Sequence, residues 1–300
     1  MVKEQELENI EGVSVIIPVY NEEKAVGSVV DDVVNTMIKT SYNCEIVVVD
    51  DGSTDGTPEI LSQKDVKVIR HQHNCGYGAA LKTGLRNSQY DLVAIIDADG
   101  SYPSQDIPRL IDNIEDTDMV VGARIGEKVN IPLVRRPAKY FLNKLANYLA
   151  EHKIPDLNSG LRIFKKDIID KYMHLLPNGF SFTTTITMAV ICGGGNVKFI
   201  PIDYYKRKGK SKINGVMDAY NFLLLILRTI IYFNPLRVFL PVGMVLLLAG
   251  LGTLIYDIFS IKNLGDKTVL LLVVGILVCM LGMLADLIVK MASQSGKLGN

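Results

Sequence analysis

Four nearly uninterrupted apolar runs, each ending abruptly in a polar motif, constrain this chain more than any other feature. Val13–Ile17 leads into Pro18-Val19-Tyr20-Asn21-Glu22, and Glu45–Val49 into Asp50-Asp51-Gly52-Ser53. Leu92–Ile96 leads into Asp97-Ala98-Asp99, and Met119–Gly122 delivers Arg124. Strands without polar alternation belong to a parallel sheet covered on both faces, and such sheets bind ligands outside the carboxyl ends of their strands. Here those ends carry carboxylates and a guanidinium, the layout of a site for a metal-bound phosphate ester.

Between the strands lie stretches of 3.6-residue period, Glu23–Lys39 and Ser104–Ile114, so the expected fold is an α/β domain with parallel strands. A helix is expected over Lys139–Glu151, then a turn at Pro155–Gly160, strands at Leu161–Phe164 and Val197–Ile202, and a helix at Phe182–Ile191. Cys44, Cys75, Cys192 and Cys279 are scattered, with no CxxC pair and no histidine in metal-ligand spacing, which fits a reducing compartment. His71, His73, His152 and His174 are too dispersed for a ligand cluster and read as structural or surface residues. Met1–Gly12 is polar and Glu-rich, unlike a signal peptide, so the domain is expected to stay cytoplasmic.

The 32 Lys and Arg balance the 32 Asp and Glu, so net charge nominates no nucleic acid partner, yet almost all of the charge precedes Asp218. After the basic run Lys206–Lys212 the chain turns apolar. Nineteen uncharged residues separate Arg237 from Asp257, and eighteen separate Lys267 from Asp286. About 20 apolar residues span a bilayer, so two transmembrane helices are expected at about 236–257 and 268–289. Basic residues flank them on one side, which puts both termini in the cytoplasm and the short loop Asp257–Lys267 outside. Met217–Phe233 is apolar but carries Arg228 within a narrow polar stripe, so it reads as an amphipathic helix in the membrane interface, with a third span as the alternative. The expected organisation is a domain over 1–213, the interfacial helix over 214–234 and two spans over 235–300.

Two carboxylates as close as Asp97 and Asp99 repel each other and any pyrophosphate unless a divalent cation joins them, and hard oxygen ligands favour Mg²⁺ or Mn²⁺. A solvated acidic turn is the bland alternative. In Asp50–Asp55, Asp55 suits a cap for a helix starting near Thr57, which leaves Asp50 and Asp51 unexplained. Asn21 is likewise a cap candidate, while Pro18 and Tyr20 offer a flat surface for a base or ribose. Asn74–Gly84 fails both the dinucleotide and the P-loop patterns, because Leu81 stands where each needs glycine. Small residues opening a helix there, with Lys82 to meet phosphate, compete with simple close helix packing. Arg124, Arg135, Arg136, Arg162 and the 207–212 run supply positive charge on the membrane side; Arg124, at a strand end, suits phosphate.

Taken in order, Pro18…Asn21-Glu22, Asp50–Ser53, Asp97-Ala98-Asp99, Gly122-Ala123-Arg124, Asn158-Ser159-Gly160 and Arg207–Lys212 resemble glycosyltransferase family 2, with a Rossmann-like GT-A fold. More narrowly they resemble the polyprenyl-phosphate glycosyltransferases, including dolichyl-phosphate mannose synthases and bacterial relatives that charge undecaprenyl phosphate. The resemblance implies an inverting enzyme that moves a sugar from a UDP- or GDP-hexose to a polyprenyl phosphate. Its donor side would be Pro18, Tyr20, Glu22, Asp50, Asp51, Lys82, Asp97, Ala98 and Asp99, with the metal on Asp97 and Asp99. Its acceptor side would be Arg124, Arg136, Arg207, Ser211 and Lys212, with Arg124 joining Asp97 and Asp99 in catalysis. Homo-oligomerisation is left open.

Two departures stand out. Ser101 occupies a position where mannose synthases commonly have Gln, and the absence of Trp argues against a processive polymer synthase. A lipid phosphate is already largely dianionic at neutral pH, so no base is needed, consistent with motifs that lack histidine. A membrane-anchored, non-catalytic nucleotide-binding scaffold is the alternative.

Overall fold

The computed structural model describes residues 11–125, 144, 146–148, 150–179, 181–206, 215–261 and 263–295. They fall into two compact units, residues 1–147 with 152–222, and residues 148–151 with 223–300.

The first unit is built on a seven-stranded sheet in the order β3-β2-β1-β4-β6-β5-β7. Its strands are β1 (Gly12–Val19), β2 (Asn43–Asp50), β3 (Lys67–Arg70), β4 (Leu92–Ile95), β5 (Met119–Ala123), β6 (Arg162–Lys165) and β7 (Val197–Pro201). All pairings are parallel except those of β6, which runs antiparallel to both β4 and β5. β1 is buried at every position, as its unbroken apolar run requires of a central strand. Helix α1 (Val26–Met37) covers one face with a stripe of Val26, Val29, Val30, Val33 and Met37, which joins Val13, Val15 and Ile17 in the main core.

Helices α2 (Thr57–Leu61), α3 (Tyr77–Arg86), α4 (Ile107–Ile111), α5 (Lys166–Tyr172) and α6 (Phe182–Cys192) complete this unit. β3 was not expected. It is a four-residue edge strand with charged ends and exposed positions, so no apolar run announces it. Of the expected Lys139–Glu151 helix, residues 144, 146–148 and 150 are helical, and the rest up to 143 lies outside the described residues.

Helix α7 (Gly215–Phe233) fills the stretch expected to be amphipathic: Ile226, Thr229 and Ile230 are buried, while Arg228 is exposed. The division between the two units falls between Phe222 and Leu223, inside this helix. Beyond it, α8 (Leu236–Tyr256) and α9 (Asp266–Ser295) form a hairpin. Leu236–Ser260 and Asp266–Met291 are long and apolar enough to cross a membrane, and only 11% and 17% of their apolar windows are buried within the protein. The two helices pack closely, so that a methyl group on Gly243 would meet Cys279 and one on Gly275 would meet Leu247. At the tip, Asp257 Oδ2 accepts hydrogen bonds from Gly265 N (2.9 Å) and Thr268 Oγ1 (2.7 Å), closing the turn.

Candidate active site

β1, β2 and β4 end at one edge of the sheet, and β5 ends beside the start of antiparallel β6. This places the four terminal motifs together.

On the β1–β2 side, Pro18 is buried in the strand and Tyr20 half-exposed just beyond it. Asn21 adopts a left-handed φ of 54° and ties the two motifs: its N–H donates to Ser53 Oγ (2.9 Å), and its Oδ1 accepts from Thr54 N (2.8 Å). It therefore braces the Ser53–Thr54 turn and does not cap α1. Glu22 opens that helix with its carbonyl, which accepts from Ala25 and Val26 N–H, and its own N–H donates to Thr57 Oγ1. Asp55 Oδ1 accepts the Thr57 N–H at 3.0 Å, as expected of a residue at the start of α2.

The neighbouring carboxylates Asp50 and Asp51 have different fates. Asp50 is buried; its Oδ1 accepts from Ser53 N (2.9 Å). Its Oδ2 lies 3.2 Å from Arg70 Nε but has no hydrogen-bond partner among the described residues, because the guanidinium approaches off the bonding line. A buried acceptor without a donor is costly and suits an N–H or O–H brought by a ligand. Asp51 is committed instead: Oδ1 meets His71 Nδ1 at 2.7 Å and accepts from Cys75 N at 2.9 Å, and Oδ2 accepts from Gly76 N at 2.8 Å. Asp51 thus grips the loop that leads into α3.

The N-terminus of α3 is also taken. Ala79 N donates to the Asn178 carbonyl (3.1 Å), and Lys82 Nζ donates to Leu176 O (2.5 Å) and Asn178 Oδ1 (2.9 Å). Gly76, at φ 104°, and Gly78 are required because a side chain at either would collide with backbone at Pro177–Asn178. Burial, and then Arg86, lowers the Lys82 pKa. These contacts are those of the close-packing alternative, with Lys82 held against the Leu176–Asn178 stretch.

At the end of β4, Asp97 is half-buried, while Ala98 and Asp99 are buried. Tyr77 on α3 donates its hydroxyl to Asp97 Oδ1 at 2.8 Å. Burial, followed by the charge of Asp97, keeps that phenol protonated by pushing its pKa up. Gly160 lies so close to the Asp97 carboxylate that a methyl group there would overlap it. Asp99 Oδ1 accepts from both N and Oγ of Ser101, at 3.0 and 2.5 Å. Asp97 and Asp99 thus bring carboxylate oxygens to one strand end, a donor set that fits Mg²⁺ or Mn²⁺.

Arg124, at the end of β5, is held by a partner the sequence reading missed. Its Nε and Nη2 form a fork on Asp156 (2.6 and 2.8 Å), which has no exposed surface, and its guanidinium lies 5.1 Å from the centre of the Tyr204 ring. Burial opposes its charge, but Tyr102 and Asp156 outweigh burial and raise its pKa well above normal. Among the described residues, Nη1 alone of its nitrogens has no hydrogen-bond partner. Arg162, read as part of the membrane-side charge, is instead wholly buried. It donates to Ser159 O (2.5 Å from Nη2), Thr183 O (2.9 Å) and Thr187 Oγ1 (3.0 Å), and burial lowers its pKa. Tyr102 completes the floor by accepting the Gly160 N–H at 2.7 Å. Arg135, Arg136, Arg207, Ser211 and Lys212 lie outside the described residues.

Comparisons with known proteins bear on the fold and the family. The profile of Glycosyl transferase family 2 matches residues 14–173, and that of a GtrB C-terminal hairpin matches residues 234–291. A dolichyl-phosphate hexose transferase of Haloferax volcanii is 30% identical over 203 residues, covering 67% of this chain and 86% of its own. An undecaprenyl-phosphate 4-deoxy-4-formamido-L-arabinose transferase of Proteus mirabilis is 29% identical over 255 residues, covering 81% of this chain and 74% of its own. In structure, glucosyl-3-phosphoglycerate synthase from Mycobacterium tuberculosis, in complex with Mn²⁺, UDP-glucose and phosphoglyceric acid, superposes with a TM-score of 0.61 at 17% identity over 76% of this chain and 82% of that one, which establishes a shared GT-A fold. With its strand-end motifs in order and more than half of its length matched, the chain belongs to glycosyl transferase family 2.

Proposed function

We propose that this enzyme transfers a hexose from a nucleotide-sugar to a polyprenyl phosphate at the cytoplasmic face of a membrane, with inversion at the anomeric carbon. The observation that carries the reading is the placement of Asp97 and Asp99 at the sheet edge that also presents an Asp50 oxygen left without a hydrogen bond among the described residues. Relatives named for transfer to dolichyl and undecaprenyl phosphates, and an apolar hairpin long enough to hold the domain at a bilayer, support the lipid acceptor.

In this reading Pro18, Tyr20, Glu22 and Asp50 receive the nucleoside, with the Asp50 oxygen accepting a hydrogen bond from the base. Asp97 and Asp99, with Ala98 between them, would hold a divalent cation, which supplies charge stabilisation to the departing diphosphate when bound. Asp51, Lys82 and Tyr77 act one step back by fixing the α3 loop and the Asp97 carboxylate. Arg124, oriented by Asp156, offers its remaining Nη1 donors to the acceptor phosphate, and Arg136, Arg207, Ser211 and Lys212 complete that side. The lipid phosphate attacks as an anion, so no side chain has to remove a proton, and catalysis rests on holding two anionic groups in line.

The test is nucleotide release by the full chain in detergent, with a panel of UDP- and GDP-hexoses, polyprenyl phosphate and Mn²⁺ or Mg²⁺. Release that depends on both the lipid and one donor is expected. No lipid-dependent release with any donor would sink the proposal.

A further inference from the structure

Three side chains read from the sequence as unrelated come together behind the α3 loop: Asp51 from the end of β2, His71 just after β3, and Cys75 from the loop itself. A carboxylate oxygen, an imidazole nitrogen and a thiol sulfur lie within 4.8 Å of one another. From this geometry we infer a second cation site that binds a thiophilic divalent ion of the Zn²⁺ class, separate from the all-oxygen pair Asp97 and Asp99. The inference does not depend on the glycosyltransfer reading, since it requires neither donor nor acceptor.

The donor set selects the ion. Carboxylate plus imidazole plus thiolate matches zinc, whereas Mg²⁺ and Mn²⁺ prefer oxygen. Hydrogen bonds already stand where an outer shell is needed. His71 Nε2 lies 2.9 Å from Thr83 Oγ1, which fixes the ring and leaves Nδ1 facing Asp51. The Gly76 N–H holds Asp51 Oδ2, so the other oxygen is aimed at His71. Such partners orient metal ligands and raise affinity. Cys75 is exposed, giving the ion a way in and leaving a fourth position for water. On binding, the cation takes the place of the proton between His71 Nδ1 and Asp51, the neutral ring carries its one proton on Nε2 and donates it to Thr83 Oγ1, and Cys75 releases its thiol proton to solvent. The other two cysteines of the sheet domain, Cys44 and Cys192, are only partly accessible, and burial pushes their thiols up to about 11.

The test titrates Cd²⁺ into the full chain in detergent and follows the ultraviolet thiolate-to-cadmium charge-transfer band, with Zn²⁺ and Mn²⁺ as competitors. Saturation at one equivalent is expected, with displacement by Zn²⁺ but not by excess Mn²⁺. Cys75→Ser should abolish the band, and His71→Gln should weaken Cd²⁺ binding at least tenfold. Because His71→Gln disturbs a partly buried pair, Thr83→Val serves as a milder variant and should weaken binding about tenfold through the lost outer hydrogen bond. Absence of a band in the wild type, a band undiminished by Cys75→Ser, or an affinity unchanged in both His71→Gln and Thr83→Val would overturn the inference.

Discussion

Asp99→Ala is the substitution that tests the proposed cation site most directly. Asp99 Oδ1 accepts two hydrogen bonds from Ser101, two residues away, so Asp99→Ala removes a local brace at the end of β4. Transfer should fall at least a hundredfold, about 2.7 kcal/mol of transition-state stabilisation, with the circular dichroism spectrum unchanged. Near wild-type turnover, or full activity in EDTA, would remove the cation from the mechanism. Arg162 behaves in the opposite way. Its guanidinium reaches Ser159, Thr183 and Thr187 at once, which a lysine cannot do, so Arg162→Lys should cost about 2–3 kcal/mol of stability, read from denaturant unfolding. The thiols set a pH dependence. Cys44 and Cys192 stay protonated in the folded protein up to about 11, against 9.0 for a free thiol, so the unfolded chain loses these protons first. Stability should therefore decline as pH rises from about 9 to 11, and alkylation at pH 8 should mark exposed Cys75 well before either of them.

Among the elements, the turn Asn158–Gly160 and the start of α3 decide where Asp97 points. Gly160→Ala inserts a methyl group against the Asp97 carboxylate while leaving β4 and β6 paired. It should therefore lower transfer about as far as Asp97→Ala, with little change in melting temperature; activity within twofold of wild type would show that Asp97 can move without consequence. Strands β1, β2, β4 and β5 were legible in the sequence because each is an unbroken apolar run ended by a polar motif. β3 was not, since Lys67 and Arg70 bound it on an exposed edge. Nor was the reversed direction of β6, because a four-residue strand has no pattern that encodes direction. The site was legible as a set of strand ends, which placed Asp50, Asp97, Asp99 and Arg124 correctly at one edge. What escaped was partnership across long separations. Nothing local says that Asp156, in a Pro-Asp turn, will fork onto Arg124, that Asn178 will cover the start of α3, or that Arg162 points inward. The oxygens that Lys82 meets, on Leu176 and Asn178, also lie far along the chain.

At the scale of the molecule, the sheet domain holds most of the charge, while the two long C-terminal helices each carry an apolar stretch long enough to cross a membrane. A polyprenyl chain cannot leave the bilayer cheaply, each buried CH₂ being worth about 0.8 kcal/mol. A chain ending near Asn214 should accordingly bind donor yet turn over long-chain acceptor poorly, with a short water-soluble prenyl phosphate recovering part of the rate. If the truncated domain used long-chain acceptor as fast as the full chain, membrane anchoring would have no part in catalysis. Protease added outside sealed cells should cut only the 257–267 loop. The reversal of β6 has one further consequence. A parallel crossover would have to return to the far end of the sheet, but here β5 ends at Ala123 and β6 begins at Arg162 on the same rim, so both ends of the connecting stretch are held there. A change in length early in that stretch would shift no strand, whereas its last residues, Asp156 and Ser159–Gly160, are pinned by Arg124, Arg162 and the Asp97 carboxylate and would have to keep their places.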